Sequence, residues 1–467
     1  MTTDRLSPLD ATFLELEEAD ETAHMHIGGI MVFEARPGTP PSLRRLQRHI
    51  ESRLQTLPRY RCRLSEPHTG GLRWPAWEAD PEFRIADHVR HAALPAPGGD
   101  LELLEWAGDY WSQRLDRSRP LWDAVLLEGL ADGRWAIATK THHALVDGVG
   151  SVDVGHLLLD SARRPRRRAG AQEEAEPDPP RPGGLRAGIS SGIRHGLAAT
   201  RDPRLLRDGL LQSKATVELL VRDELVAAPS TSLNVPIGTR RRYRIVRTDL
   251  AELKAIKAAL GGTVNDVVLA ASTGGLRRVL RGRGEPLPAH GLRAMVPVNV
   301  RTAAERLRLG NKVTSLFVHL PVDEADPRRR YDRTVGAAET LKAGDQGAGG
   351  AGLLTLTSLA PPVLHSLIAR ALFASRLFNL TITNVPGPPR PLYAFGARLE
   401  EIMPLVPLAA DHAVGIAVLS YDGKLVFGLA GDDRAAADLD VLADGIAASL
   451  GELSKLAGGR RPVAAST

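Results

Sequence analysis

The chain has 467 residues, 43 % hydrophobic and 25 % charged, with a formal net charge of +5. That length exceeds what one hydrophobic core supports, so two lobes are expected in an otherwise ordinary globular protein. A single cysteine, Cys62, excludes an internal disulfide, and the small basic excess suits a phosphate-bearing ligand or an anionic membrane surface; no nucleic acid is expected.

The opening stretch MTTDRLSPLDATFLELEEAD carries no apolar h-region, so no signal peptide is expected there. HMHIGGIMVFEA then reads as a strand, PSLRRLQRHIESRLQTL as an amphipathic helix and RWAIATKTHH as a second strand. In that strand Trp135, Ile137, Thr139 and Thr141 alternate with Ala136, Ala138, Lys140 and His142. It runs straight into HHALVDG, His142 to Gly148. From Arg163 to Gly184 the chain turns basic, then acidic, then rich in Pro and Gly, the composition of a linker with nothing to bury. Beyond it Leu185, Ile189, Ile193 and Leu197 recur every four residues beside Arg186, Arg194 and His195. Such a basic amphipathic helix suits an anionic membrane interface, or equally a protein-packed helix with a solvated face.

The second half begins near Ser232. TRRRYRIVRTDL, LRAMVPVNVR, KVTSLFVHLPV and LFNLTITNVPGP read as strands, and GIAVLSYDGKLVFGLAG as a hairpin turning at Asp422-Gly423. TVNDVVLAASTGGLRRVL and DLDVLADGIAASLGELSKL read as helices. Strands and helices in mixed order predict an α/β fold of two lobes with mixed sheets. The boundaries are residues 1–162, a linker with basic helices at 163–231, a second lobe at 232–457 and a tail at 458–467. The apolar run from Gln346 to Ala369 is broken by Pro361-Pro362, so no membrane span is predicted.

Two glycine patterns are decoys. GISSG, around Ser190, fits the nucleophile-elbow spacing but follows the Pro/Arg linker instead of a strand. GAGGAG, Gly347 to Gly352, fits a dinucleotide fingerprint but has no preceding strand and no acid about 20 residues on. The histidine pair has three readings. Adjacent strand residues face opposite ways, so His142 and His143 cannot easily join Asp147 on one metal ion, and no metal is expected. A satisfied structural pair is the second. The third is a general base: a strand that opens through the Asp147-Gly148 turn can project an imidazole into a cleft, with a pKa near ~6.5.

In its ordered set of motifs the chain resembles the bacterial wax ester synthase/diacylglycerol acyltransferase family, part of the CoA-dependent acyltransferases that share H-H-x-x-x-D-G. The motifs are LSPLDATFLELE, HMHIGGIMVFE, DRSRPLW, HHALVDG, SLNVPIGTRRRY, TVNDVVLA, MVPVNVR, GNKVTS, TNVPGP and SYDGKL. Gly150 departs from the family, which often has serine there, and the linker matches nothing shared. The resemblance implies two chloramphenicol-acetyltransferase-like lobes with an active-site channel between them. It implies that His143 is the general base of an acyl transfer from acyl-CoA to a diacylglycerol or long-chain fatty alcohol, with no acyl-enzyme and no cofactor. His142 would pack behind the base. Asp147 would pair with Arg301, and Gly148 would let the chain turn. Thr263 with Asp266 three residues later has the spacing of a capping box, so Asp266 would cap its helix while Asn265, in the same first turn, would aim its amide at the site; Thr383 or Asn384 would sit near the tetrahedral oxygen, and Pro120, Leu121 and Trp122 would pack.

Lipid products make a cytoplasmic protein, peripheral on the inner membrane face or on lipid inclusions, the expected setting. Two rivals stay open: a condensation-type enzyme of the same superfamily with a carrier-bound donor, and a catalytically idle lipid-binding protein. The intact histidine motif counts against the latter.

Overall fold

The computed structural model describes residues 4–6, 8–65, 75–145, 155, 158–163, 228–299, 313–343 and 377–458. A small antiparallel sheet joins β1 (Asp4–Arg5), β3 (Cys62–Leu64) and β4 (Ala76–Ala79) in the order β1-β4-β3. The first large sheet contains β2 (His26–Phe33), β5 (Val89–Ala93), β6 (Trp122–Glu128), β7 (Trp135–His142), β12 (Tyr393–Ala394) and β13 (Ala397–Leu405), in the order β12-β13-β2-β7-β6-β5. The second contains β8 (Arg241–Asp249), β9 (Leu292–Asn299), β10 (Val313–Leu320), β11 (Leu380–Pro386), β14 (Val414–Tyr421) and β15 (Lys424–Asp432). Its order is β10-β9-β11-β14-β15-β8, with β11 parallel to both neighbours.

Alternation decides which face each residue serves. On β7, Trp135 and Ile137 pack on one side with Leu46 and Ile50 of helix α2 (Leu43–Arg53). Ala136 and Ala138 pack on the other with Leu103, Leu104 and Ala107 of α3 (Asp100–Ser112). Helix α1 (Pro8–Ala19) precedes β2. Gly28 lets β2 and β7 approach, because a Cβ there would meet the Thr139 carbonyl oxygen at 2.0 Å. In the second lobe, helices α4 (Leu250–Leu260), α5 (Val264–Gly282) and α7 (Leu439–Leu456) cover one sheet face, and α6 (Pro327–Ala343) packs on α5. The β14–β15 hairpin turns with Asp422 at φ 46° and Gly423 at φ 84°, the left-handed pair that a two-residue turn requires.

The chain crosses between lobes more often than the sequence boundaries suggest. Residues 393–405, grouped above with the second lobe, form β12 and β13 and pair with β2 from Leu399↔Phe33 to Leu405↔Gly28. At the seam the Arg241 amide donates to Ser112 Oγ at 2.7 Å, and Trp111 meets Tyr243 edge-on at 4.4 Å between centroids. Arg247 Nε donates to Glu401 Oε2 at 2.8 Å, and the same guanidinium reaches Asp100. No helix among the described residues is long and apolar enough to cross a membrane. The apolar run 346–369, the two decoys and the basic helices beyond Gly184 lie outside the described residues.

Candidate active site

The histidine pair divides where β7 ends. His142 is the last strand residue, aligned with His26 of β2, and its amide donates to the Leu121 carbonyl at 2.9 Å. His143 is already in a 3-10 turn, His143–Leu145, held by its amide to the Met25 carbonyl at 2.8 Å. One strand residue and one turn residue thus project differently.

His142 is fully buried, and both of its ring nitrogens are occupied. The Ala144 amide donates to Nδ1 at 3.1 Å, so Nε2 carries the proton and donates it to Glu17 Oε2 at 3.0 Å. The ring therefore ties Glu17 to the turn that carries His143. Glu17, 1 % exposed, also lies 3.4 Å from Arg114 Nε. Burial raises its pKa, but the hydrogen bond from His142 and the charges of Arg114 and Arg117 outweigh burial and hold the carboxyl below its ordinary value. His26 stands beside them, accepting from the Leu115 amide at 3.4 Å, and burial pushes it well below 6.5, with Lys140 and His142 adding.

His143 is half-buried and stacks on Phe13, with centroids 3.8 Å apart and planes 18° from parallel. Its Nδ1 is buried and has no hydrogen-bond partner among the described residues. Burial above all pushes its pKa down to about 4, with His142 adding and the residue's own main chain opposing. The ring is thus neutral throughout the physiological range, and no carboxylate among the described residues pairs with it.

Phe13 and Glu17 are four residues apart, so one face of α1 serves both imidazoles. Neither residue was singled out by sequence reasoning. In FLELEE three acids follow one another; Glu15 is half-buried, Glu17 buried and Glu18 exposed. Only the tertiary position of the helix separates them.

In the second lobe Asn384 Nδ2 donates to Asn265 Oδ1 at 3.2 Å. That bond uses the oxygen of Asn265 and leaves its NH2 without a partner among the described residues. Asp266 closes the capping box: Oδ2 accepts from the Thr263 amide and hydroxyl, both at 2.8 Å. Thr383 is half-buried on β11, opposite Ala417 of β14. No hydrogen bond among the described residues joins the asparagine pair to His143.

Pro120, Leu121 and Trp122 are buried. The Trp122 indole donates to the Tyr60 carbonyl at 2.7 Å, its carbonyl lies 2.8 Å from His88 Nδ1, and the two rings stack at 4.8 Å. Asp147, Gly148 and Arg301 lie outside the described residues.

The model of the wax ester synthase/diacylglycerol acyltransferase catalytic domain matches residues 6–268, and that of the WS/DGAT C-terminal domain matches residues 309–454. A probable diacylglycerol O-acyltransferase of Mycobacterium tuberculosis is 32 % identical over 449 residues, 94 % of each chain. A second from that species is 32 % identical over 479 residues, 97 % of this chain and all of the relative. Among solved structures, the wax ester synthase/diacylglycerol acyltransferase from Marinobacter aquaeolei VT8 superposes with a TM-score of 0.69 at 29 % identity, covering 97 % of this chain and 100 % of the other. The first condensation domain of the calcium-dependent antibiotic synthetase shares the fold, with a TM-score of 0.61 at 19 % identity over 98 % of this chain and 96 % of the other.

Proposed function

The chain belongs to the wax ester synthase/diacylglycerol acyltransferase family, and we propose that it transfers a long-chain acyl group from acyl-CoA to diacylglycerol or a fatty alcohol, with His143 as the general base. The observation that carries this reading is the setting of His143: stacked on Phe13 and held neutral by burial, on a turn that His142 braces from behind. Nε2 takes the hydroxyl proton as the alcohol oxygen attacks the thioester carbonyl. The tetrahedral intermediate collapses, its C–S bond breaks, and the CoA thiolate recovers the proton from the imidazolium. Positioned proton transfer of this kind contributes roughly 10²- to 10⁴-fold. No acyl-enzyme forms in this scheme, because donor and acceptor meet on one base.

Asn265, whose NH2 has no partner among the described residues, is assigned to the tetrahedral oxygen, with Asn384 fixing its rotamer. No cofactor takes part beyond acyl-CoA as substrate. The proposed setting is cytoplasmic and peripheral, on the inner membrane face or on lipid inclusions, because both acceptor and product partition into lipid. Purified protein incubated with palmitoyl-CoA and hexadecanol, diacylglycerol or a short alcohol tests the activity. Ester formation matched by free CoA supports it; hydrolysis alone, or no turnover with any acceptor, refutes it. Flotation with lipid inclusions tests the setting, and a protein that stays wholly in the aqueous fraction refutes that part.

A further inference from the structure

Two arginines are buried in the described core, and they are treated differently. Arg330 pairs with Glu452 at 2.9 Å and donates to two carbonyls. Arg293, only 6 % exposed, makes one side-chain hydrogen bond among the described residues, from Nη1 to the Leu377 carbonyl at 3.3 Å. No carboxylate among the described residues lies within ion-pair distance of it. A guanidinium has five N–H donors, and four of those on Arg293 have no partner among the described residues.

The described neighbours supply no anion either. On β9, Leu292, Ala294 and Val296 enter the core, so Arg293 faces the other side of the sheet. Its partner across the β9–β10 ladder is His319, on the same face. His319 is exposed, and its Nδ1 lies 3.3 Å from the His290 carbonyl.

We infer that Arg293, with His319 beside it, is a receiving site for a phosphate group, whose oxygens would take the guanidinium donors the protein leaves unused. The phosphorylated end of CoA and a phospholipid headgroup share that chemistry. The CoA assignment rests on the function proposed above; the phosphate site does not.

The test uses the full chain, thermal shift and titration calorimetry, with pyrophosphate, CoA, pantetheine, and vesicles of phosphatidylcholine with or without phosphatidic acid. The wild type should show a saturable rise in Tm with pyrophosphate. Arg293→Met should bind at least tenfold more weakly, 1.4 kcal/mol, while its ligand-free Tm is no lower than the wild type's. Tighter binding of CoA than of pantetheine, lost in the variant, names CoA as the source; a phosphatidic acid requirement, lost likewise, names the lipid. Wild type that does not respond to millimolar pyrophosphate overturns the site, whether or not the variant folds. So does a variant that binds every probe like wild type, or one whose ligand-free Tm drops, which would mark Arg293 as a packing residue. Pyrophosphate binding without acyl-CoA turnover would keep the site and remove only its CoA assignment.

Discussion

Glu17 is the residue whose replacement says most about how the base is held. Its carboxylate accepts a hydrogen bond from Nε2–H of His142 at 3.0 Å, and the opposite nitrogen of that ring accepts from the Ala144 amide of the turn that carries His143. Glu17→Gln keeps an acceptor for His142 but removes the charge. A hydrogen bond to a charged group contributes about 1.5–3 kcal/mol and a neutral one about 0.5–1.5, so roughly 1–1.5 kcal/mol should be lost. If the loss is felt in the geometry of His143, kcat falls about tenfold with little change in KM, and Tm drops by a few degrees. Glu17→Ala leaves the buried N–H without an acceptor and Arg114 without its near carboxylate, and about 3 kcal/mol is expected.

The assay is release of CoA thiol from palmitoyl-CoA with hexadecanol. A Glu17→Gln enzyme with wild-type kcat and Tm would make Glu17 a bystander. A loss near 10⁴-fold would refute the argument from the other side. Losses of that size follow when a carboxylate's removal flips a catalytic histidine to the wrong tautomer, whereas here the Ala144 amide fixes the tautomer of His142 independently. The pH dependence adds a check. The folded carboxyl titrates below its ordinary value, so its stabilisation is present above an unfolded pKa near ~4.3 and lost as pH falls through the folded one. The Tm gap between wild type and Glu17→Gln should close on acidification.

Other tests follow from the same geometry. His143→Ala should abolish ester formation in a folded protein; more than about a tenth of wild-type turnover would remove His143 as the base. With the His143 pKa pushed down to about 4, kcat/KM per folded molecule should stay flat from about pH 8 to 5, in place of an acid limb near ~6.5. Stability itself should decline over that acid range, because His143 and His24, both lowered to about 4, stay neutral in the fold and charge on unfolding; a limb near 6.5 in a still-folded enzyme would show the base to be solvated. Asn265→Ala should lower kcat by about 10²- to 10³-fold as the loss of an oxyanion donor, and an unchanged kcat would make the asparagine pair purely structural. Activity should survive exhaustive chelation, since both ring nitrogens of His142 are already bonded within the protein; activity lost to chelator and restored by zinc would reverse that.

How much of this was legible varies with the range of the interaction. The β7 strand, the α5 capping box at Thr263 and Asp266 and the Asp422-Gly423 hairpin were all readable, because each is set by residues within a few positions of one another. The strand reading overran by one residue: β7 stops at His142, and that single step sends the two imidazoles to different surroundings. The pairing of β13 with β2 joins residues more than 350 apart and leaves no local period to follow. Glu17 was hidden for a related reason. An acid among acids on an amphipathic helix reads as a solvated face, and its burial depends on α1 docking against the turn after β7.

That docking explains why two adjacent histidines need not act alike. A proposed base must be neutral before it can take a proton, and His143 meets this with Phe13 against its ring and, among the described residues, no acid on Nδ1. A brace must stay in one orientation, and His142 does so through bonds at both nitrogens. A carboxylate placed directly on His143 would raise its pKa and bring the imidazolium into the working range. Placed one residue back, on His142, the same charge stiffens the turn and leaves the base neutral. The strand end makes this division: one imidazole points down toward Glu17 as the last rung of the sheet, and the next leaves the sheet beside Phe13.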